Sequence, residues 1–536
     1  MTAIIDEPRD SVQRVVRPVT LAAVFVAVFA MALLPRLMAR DQFITSDEDQ
    51  WMSRSGGFAY ALSTGELRRT YQNGHPGVTT MWLGVLSMGR DRAYEFADRV
   101  HRQRLVAVVP GFWDALIQAR VGPIVVTALT VATIGLLVAR IWGGPAGFLA
   151  GAISALDPWV IGLQQLLHTD GLLTGFMGVS ALASIVYWWQ GGARPYLVLG
   201  GIAAGLALLS KTPALFLGPF TLAVALIAWR SGRVSNGQVL AGLVTFGVCT
   251  GVSFVALWPA LWVAPVEMLG RMLEFLKDTG GEADEVGSFF FGQSLGDPGP
   301  LYYPVALAFR LSLGLLLGLV GLIACWRSVG GKGAIGLVAL YVVGFTVMMI
   351  ASPKKFDRYL LPIEPMLAIL AALGAIAGAR RLLTWRPAIP ASVAVISLQL
   401  LTIGLVYPYY LAYYNPLLGG GAVAARSVMV GNGEGLDLAA DWLNAQPRAT
   451  ESWVAAHSFD ILQGMYVGSG EPLRERAPSQ ADYILLYGRR IQMRRWGPSL
   501  DAYLASRQTL HTVTLNGIDY VQIYAGPKFD APGGTP

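Results

Sequence analysis

The sequence predicts a polytopic α-helical membrane protein carrying a small water-exposed α/β domain at its C-terminal end, and three observations carry that reading. Of the 536 residues, 54% are hydrophobic and 14% charged, whereas a soluble protein carries about 25% charged residues. The mean hydropathy is +0.50. Apolar runs long enough to cross a hydrocarbon core recur from residue 19 to about residue 411, and the composition turns ordinary only beyond them.

Taken in order, the chain opens with Arg9, Arg14 and Arg17 ahead of an apolar run. No small-residue cleavage site follows before Pro35-Arg36, so this run is read as an uncleaved first span at 19–36 rather than a signal peptide. Further spans are expected near 120–140, 145–164, 170–189, 195–210, 213–229, 238–259, 303–326, 333–351, 360–379 and 388–411, about eleven in all. With the N-terminus in the cytoplasm, alternate connections hold Arg140, Arg194, Arg230 with Arg233, Arg327 with Lys332, and Arg380 with Arg381 and Arg386. Each is basic, as the excess of Lys and Arg in cytoplasmic loops requires.

The same alternation puts residues 37–119, the turn at His168-Thr169-Asp170, the segment near Lys211, the loop 263–302, the stretch Ser352 to Tyr359 and everything after the last span on the opposite, extracytoplasmic side. Residues 79–89 are apolar but too short to cross, which suits an interfacial or re-entrant helix inside the first external loop. The mixed-charge run Arg90 to Arg104 suits a helix at the membrane surface. The expected division is a membrane domain, 1–411, and an α/β domain, 412–536, with a helix at Leu436 to Asn444 and strands at Tyr483 to Tyr487 and Tyr520 to Tyr524. Cys249 and Cys325 lie in separate apolar runs and read as packing residues. Nothing in the charge distribution points to nucleic acid.

The polar residues on the external side are the candidates for chemistry. Ser46-Asp47-Glu48-Asp49-Gln50-Trp51 sets three carboxylates just past the first span, where such groups can take a proton from a hydroxyl or hold a divalent cation. His75-Pro76 precedes the short apolar run, where a turn role competes with a functional one. His168-Thr169-Asp170 marks a junction of two spans, where Asp170 can cap the following helix as well as serve a site. Lys354, Lys355 and Arg358, within Ser352 to Tyr359, and Lys211 more weakly, put positive charge at the membrane boundary that cytoplasmic-loop statistics disfavour. Lys as a point charge and Arg as a fork both suit a phosphate. The glycine-rich Gly431-Asn432-Gly433-Glu434-Gly435 lacks the Lys-Ser/Thr ending and preceding strand of a nucleotide loop. Glu434 is an acceptor-contact candidate there.

These features, in this order and on one side, resemble the GT-C glycosyltransferases of the protein O-mannosyltransferase and aminoarabinose-transferase kind, which use polyprenyl-phosphate sugars. The resemblance rests on Asp47-Glu48, on His75-Pro76, on Asp157-Pro158-Trp159 with His168-Thr169-Asp170, on Leu209-Ser210-Lys211-Thr212-Pro213, and on Lys354-Lys355-Phe356-Asp357-Arg358-Tyr359 with Leu360-Leu361-Pro362. It implies a multi-pass cell-membrane enzyme of the envelope, moving a hexosyl or pentosyl unit with inversion to a protein, lipid or glycan acceptor, as in protein O-glycosylation. By motif position it implies Asp47 as general base, with Glu48 supporting it or binding acceptor or metal, and Asp170 as the second acid. Lys211, Lys354, Lys355 and Arg358 would meet the donor phosphate, and Asp49, His75, His168 and Tyr359 would contact donor or acceptor. No cofactor is implied beyond a divalent metal that Asp47, Glu48 and Asp170 could hold. The rival reading, a polytopic transporter or lipid flippase, calls for ionisable residues near the bilayer midplane, and a non-catalytic scaffold leaves Lys354, Lys355 and Arg358 unexplained.

Overall fold

A computed structural model of the chain describes residues 17–97, 109–281, 287–383, 386–494 and 496–530. Arg9, Arg14 and the part of the Arg90 to Arg104 run beyond residue 97 lie outside the described residues. Among the described residues, eight helices are long and apolar enough to cross a membrane, or up to ten if two bent pairs each count as one span. The bent pairs are Gly144–Ala155 with Pro158–Gln164, turned by 65°, and Tyr302–Arg310 with Leu313–Ala324, turned by 112°. The eleventh expected span is Arg194–Ser210, an apolar helix of 17 residues.

At the centre of the bundle stands Thr169–Gln190, almost wholly buried. Its small residues let neighbours approach closely: a Cβ on Gly175 would sit 2.1 Å from the Thr130 hydroxyl, and one on Gly178 would sit 2.7 Å from Ile134 Cδ1. By contrast, Asn236–Ala256 buries only Gly242 and Phe246, as expected of a helix facing lipid.

The acidic run after the first span is not a loop. It is the first turn of Ser46–Thr64, a helix opened by a capping box in which the Thr45 hydroxyl accepts from the Glu48 N–H and the Glu48 carboxylate accepts from the Thr45 N–H. Glu48 is therefore occupied. Its two oxygens also accept from Arg120 Nε at 2.7 Å and a terminal guanidinium nitrogen at 2.6 Å, and from the Leu167 N–H at 3.0 Å. Arg120 uses its remaining donors on the Gln42 and Phe43 carbonyls, at 3.1 and 2.7 Å, and on that of Arg40. Both side chains are buried.

The short apolar run forms Val78–Met88, entered through Gly77 at φ +58°. A Cβ at Gly77 would sit 2.1 Å from the Trp51 ring, so both backbone and space call for glycine.

Beyond Ala388–Val406 the expected helix is found at Leu436–Asn444. Five strands follow: β1 (Trp453–Ala456), β2 (Ser469–Pro472), β3 (Tyr483–Tyr487), β4 (Thr509–Leu515) and β5 (Ile518–Ala525). They form a mixed sheet in the order β2-β1-β3-β5-β4, with β1 parallel to β2 and β3 and the other pairs antiparallel. β3 and β5 contain the two expected strand runs. The glycine-rich loop ahead of the helix packs on the turn that precedes the acidic helix: at φ +114°, a Cβ on Gly433 would lie 2.1 Å from the Ile44 carbonyl oxygen.

Replacing one partner of the buried Glu48–Arg120 pair strands the other charge, so Arg120→Gln is expected to cost about 3–5 kcal/mol. Thermal unfolding of the purified protein in detergent measures this, and an unchanged midpoint would remove the pair from its structural role.

Candidate active site

A cavity of about 460 Å³ opens where the acidic helix, the start of Thr169–Gln190, the end of Arg194–Ser210 and the segment from Lys354 to Tyr359 converge with the glycine-rich loop. Asp47 is held there from two sides. Its Oδ2 lies 3.0 Å from a terminal nitrogen of Arg358 and 3.2 Å from His168 Nε2. His168 Nδ1 accepts from the Asp170 N–H at 3.2 Å and so makes the helix cap expected of Asp170. With Nδ1 accepting, Nε2 carries the proton toward Asp47. Asp170 lies behind, 2.6 Å from Lys211 Nζ through Oδ1 and 3.6 Å from Arg358 Nε through Oδ2. Neither Asp170 Oδ2 nor Arg358 Nε has a hydrogen-bond partner among the described residues. A third Arg358 contact, to Asn432 Oδ1 at 3.3 Å, ties it to the glycine-rich loop.

Burial alone would raise the Asp47 carboxyl. The Arg358 guanidinium, the hydrogen bond from His168 and the charge of Lys211 outweigh it and hold the group well below the usual carboxylate range. Asp47 is anionic across ordinary pH. His75 is displaced the other way: burial first, then Lys211, lower it to about 3, so its ring is neutral. Its Nδ1 is 3.3 Å from the Thr212 hydroxyl, and Phe275 packs edge-on against the ring.

The sequence-derived candidates therefore divide. Asp47, His75, His168, Lys211, Lys354, Arg358 and Tyr359 line the cavity, with Lys211 Nζ 4.5 Å over the Tyr359 ring and Asp170 directly behind. Glu48 and Asp49 are buried on the same helix but do not line it, and Lys355 turns away to Asp297 Oδ1 and the Ser352 carbonyl, both at 2.7 Å. Lys354 has no carboxylate within ion-pair distance among the described residues.

Three lining cations were not anticipated: Arg54, Arg310 and Arg489. Arg310 donates to Asp357 Oδ2 at 2.7 Å and to the Leu411 and Tyr413 carbonyls at 2.8 and 2.7 Å. An arginine inside an apolar run is itself a signal of function, and Arg310 carried it. Arg54 is one helical turn past Gln50, whose side chain it meets at 2.7 Å. Arg489 follows β3 and carries no local signal. Glu434 also lines the cavity; burial raises its carboxyl.

The donor set does not suit a metal ion. Glu48 is spent on Arg120, Asp47 and Asp170 face Arg358, His168 and Lys211, and among the described residues no group of three or more His, Cys, Asp or Glu side chains could hold one.

Residues 103–258 match the family model described as dolichyl-phosphate-mannose-protein mannosyltransferase, and that match bears out the resemblance read from the sequence. No curated protein matches the chain. Among solved structures, ArnT from Cupriavidus metallidurans bound to undecaprenyl phosphate is 13% identical, with 94% of this chain and 97% of that one covered at a TM-score of 0.48. The Archaeoglobus fulgidus oligosaccharyltransferase in its apo form is 11% identical, with 96% and 75% covered at 0.44. The S. cerevisiae protein O-mannosyltransferase Pmt1-Pmt2 complex bound to the sugar donor is 14% identical, with 53% and 40% covered at 0.34.

Because the folded pKa of Asp47 lies below its unfolded value, the stability of its ion pairs is present above the unfolded pKa of about 4 and is lost as pH falls through the lower folded value. Arg358→Gln removes the largest attraction and is expected to lift the Asp47 carboxyl toward the ordinary range. Infrared difference spectra, assigned with Asp47→Asn, should show its protonated band at higher pH in Arg358→Gln than in the wild type. Coincident titrations would show that Arg358 does not set the charge of Asp47.

Proposed function

We propose, with the family match over residues 103–258 as premise, that the chain is an integral membrane glycosyltransferase that moves a sugar from a polyprenyl-phosphate donor to a hydroxyl or amine of a protein, lipid or glycan. The observation that carries this reading is a carboxylate and a guanidinium 3.0 Å apart in one cavity, with two lysines beside them, at one end of the membrane helices. A transporter would set such groups near the midplane. The cavity is assigned to the extracytoplasmic face, with the N-terminus in the cytoplasm, and the division at 411/412 stands as the boundary between the membrane and α/β domains.

In the proposed reaction the acceptor oxygen or nitrogen attacks the anomeric carbon from the face opposite the phosphate. Asp47 takes the acceptor proton as the new bond forms, and the bond from the anomeric carbon to the phosphate oxygen breaks, with its electron pair passing to the phosphate. Inversion follows from that single displacement. Charge accumulates on the leaving phosphate, so Arg358, Lys211 and Lys354 stabilise the transition state more than the bound donor. His168 positions Asp47 through Nε2, and Asp170 positions His168 through its backbone N–H and Lys211 through Oδ1. His75, neutral, and Tyr359 are assigned to sugar or acceptor contacts. Lys355 acts through the loop it braces against Asp297.

Asp47→Asn keeps size and hydrogen bonding but cannot take the proton. Transfer is expected to fall by about 10²–10⁴-fold, with the protein still folded but its unfolding midpoint lowered by the loss of the Asp47 ion pairs. The assay is release of polyprenyl phosphate from defined polyprenyl-phosphate sugars by the purified protein, and wild-type turnover in the variant would remove Asp47 as base.

A further inference from the structure

A second cavity, of about 950 Å³, lies at the other end of the bundle. The helix Thr169–Gln190 links the two: Thr169 lines the catalytic cavity and Gln190 lines this one. At 1.5 Å per residue they are roughly 32 Å apart, about the thickness of a hydrocarbon core. The second cavity therefore opens at the opposite membrane boundary and belongs to a different site.

Its lining is one-sided in charge. Arg140, Arg233 and Arg380 face it, and no Asp or Glu does among the described residues. Arg233 lies 3.9 Å over the Trp189 ring and donates to the Trp189 carbonyl at 3.2 Å, which holds the cation at the wall. The indole nitrogen of Trp142, a donor only, is buried without a hydrogen-bond partner among the described residues. A Cβ on Gly331 would stand 2.6 Å from it, so glycine is what lets the backbone at the cavity wall pack this close to the indole.

The backbone adds donors. Gly144–Ala155 and Lys332–Ile350 both begin at the cavity, each behind a glycine N-cap, Gly143 and Gly331, that offers no side-chain acceptor. Ala388–Val406 begins there too, behind Pro387 and without a side-chain cap, but its Ile389 N–H donates to the Arg386 carbonyl at 3.1 Å and Pro390 has none, so it adds the Ala388 N–H alone. The first N–H groups of a helix have no internal partner and carry the positive end of its dipole. Three helix starts, three arginines and an unpaired indole converge on one space that supplies no anionic group of its own.

Cytoplasmic-side loops favour Lys and Arg for topology alone, but Arg194, Arg230, Arg327, Lys332 and Arg381 already meet that demand outside the cavity. Topology does not require a cavity, nor uncapped helix starts along its wall. We propose that this cavity is a binding site for a phosphate group, carried by the headgroup of an anionic phospholipid in the leaflet opposite the catalytic cavity. Its apolar wall, from Val186, Leu373 and Ile376, suits the first carbons beyond the headgroup.

The test uses the full chain in detergent with phosphatidylglycerol, phosphatidylcholine, glycerol 3-phosphate and inorganic phosphate as probes, followed by native mass spectrometry. Wild-type protein is expected to retain phosphatidylglycerol over phosphatidylcholine. Arg140→Gln/Arg233→Gln/Arg380→Gln is expected to bind it roughly a hundredfold more weakly, while Arg230→Gln/Arg327→Gln on the same boundary leaves retention unchanged. Capture of glycerol 3-phosphate or inorganic phosphate as tightly as the lipid supports the phosphate site and assigns it to a soluble ligand. If the triple variant does not fold, Trp142→Phe and Arg140→Gln, each expected to weaken retention severalfold, carry the test. Equal retention by the wild type and the cavity variants, or equal loss in the Arg230/Arg327 control, overturns the proposal.

Discussion

The bidentate contact between Glu48 and Arg120 holds the acidic helix to the bundle. One carboxylate closes the capping box of that helix, anchors the Arg120 guanidinium and takes the Leu167 N–H, while the same guanidinium gathers the carbonyls between Arg40 and Phe43. In a buried setting such a pair is stable only when every remaining donor and acceptor is satisfied, and here the loop carbonyls and the Leu167 amide do so. Glu48 thereby fixes the rotation of the helix, and that rotation turns its neighbour Asp47 toward His168 and Arg358. Of two adjacent acids, one holds the helix in place and the other faces the cavity.

The cavity itself balances charges in layers. Asp170 neutralises Lys211 from behind and reaches Arg358 only at 3.6 Å, so Arg358 is shared between two carboxylates and an asparagine. Lys354 adds a cation without a carboxylate partner among the described residues. The lining as a whole is positive, with Arg54, Lys211, Arg310, Lys354, Arg358 and Arg489 against Asp47, Asp357 and Glu434. Asn432 extends this arrangement to the C-terminal region, and Gly433 permits it by letting the loop lie against Ile44.

Much of this was legible from periodicity and position. Apolar length alone located the spans, because lipid forces helices to satisfy their own backbone groups and leaves a plain hydropathy signal. The alternation of basic connections groups Asp47, His168, Lys211 and Arg358 on one side, and one cavity holds all four. What stayed hidden was long-range pairing. Thr45 and Glu48 have capping-box spacing, a local mark of a helix start, but nothing near Glu48 points to Arg120, 72 residues away. Lys354 and Lys355 are adjacent and chemically alike, and only the placement of Asp297 decides which one turns away. Arg54 and Arg489 reach the cavity from elements whose mutual packing no local pattern encodes.

On the proposed chemistry, the pairing that holds Asp47 anionic also restrains it as a base. A carboxylate bound by a guanidinium and an imidazole N–H has low proton affinity, because taking a proton would forfeit both attractions. A donor phosphate competes for the same guanidinium, and its charge draws Arg358 and Lys354 toward the leaving group. As that attraction is redirected, Asp47 regains basicity at the moment the sugar stands in reach. The order of events then follows from electrostatics alone: the base strengthens once its leaving group is bound, and a cavity holding acceptor without donor keeps Asp47 locked in its ion pair.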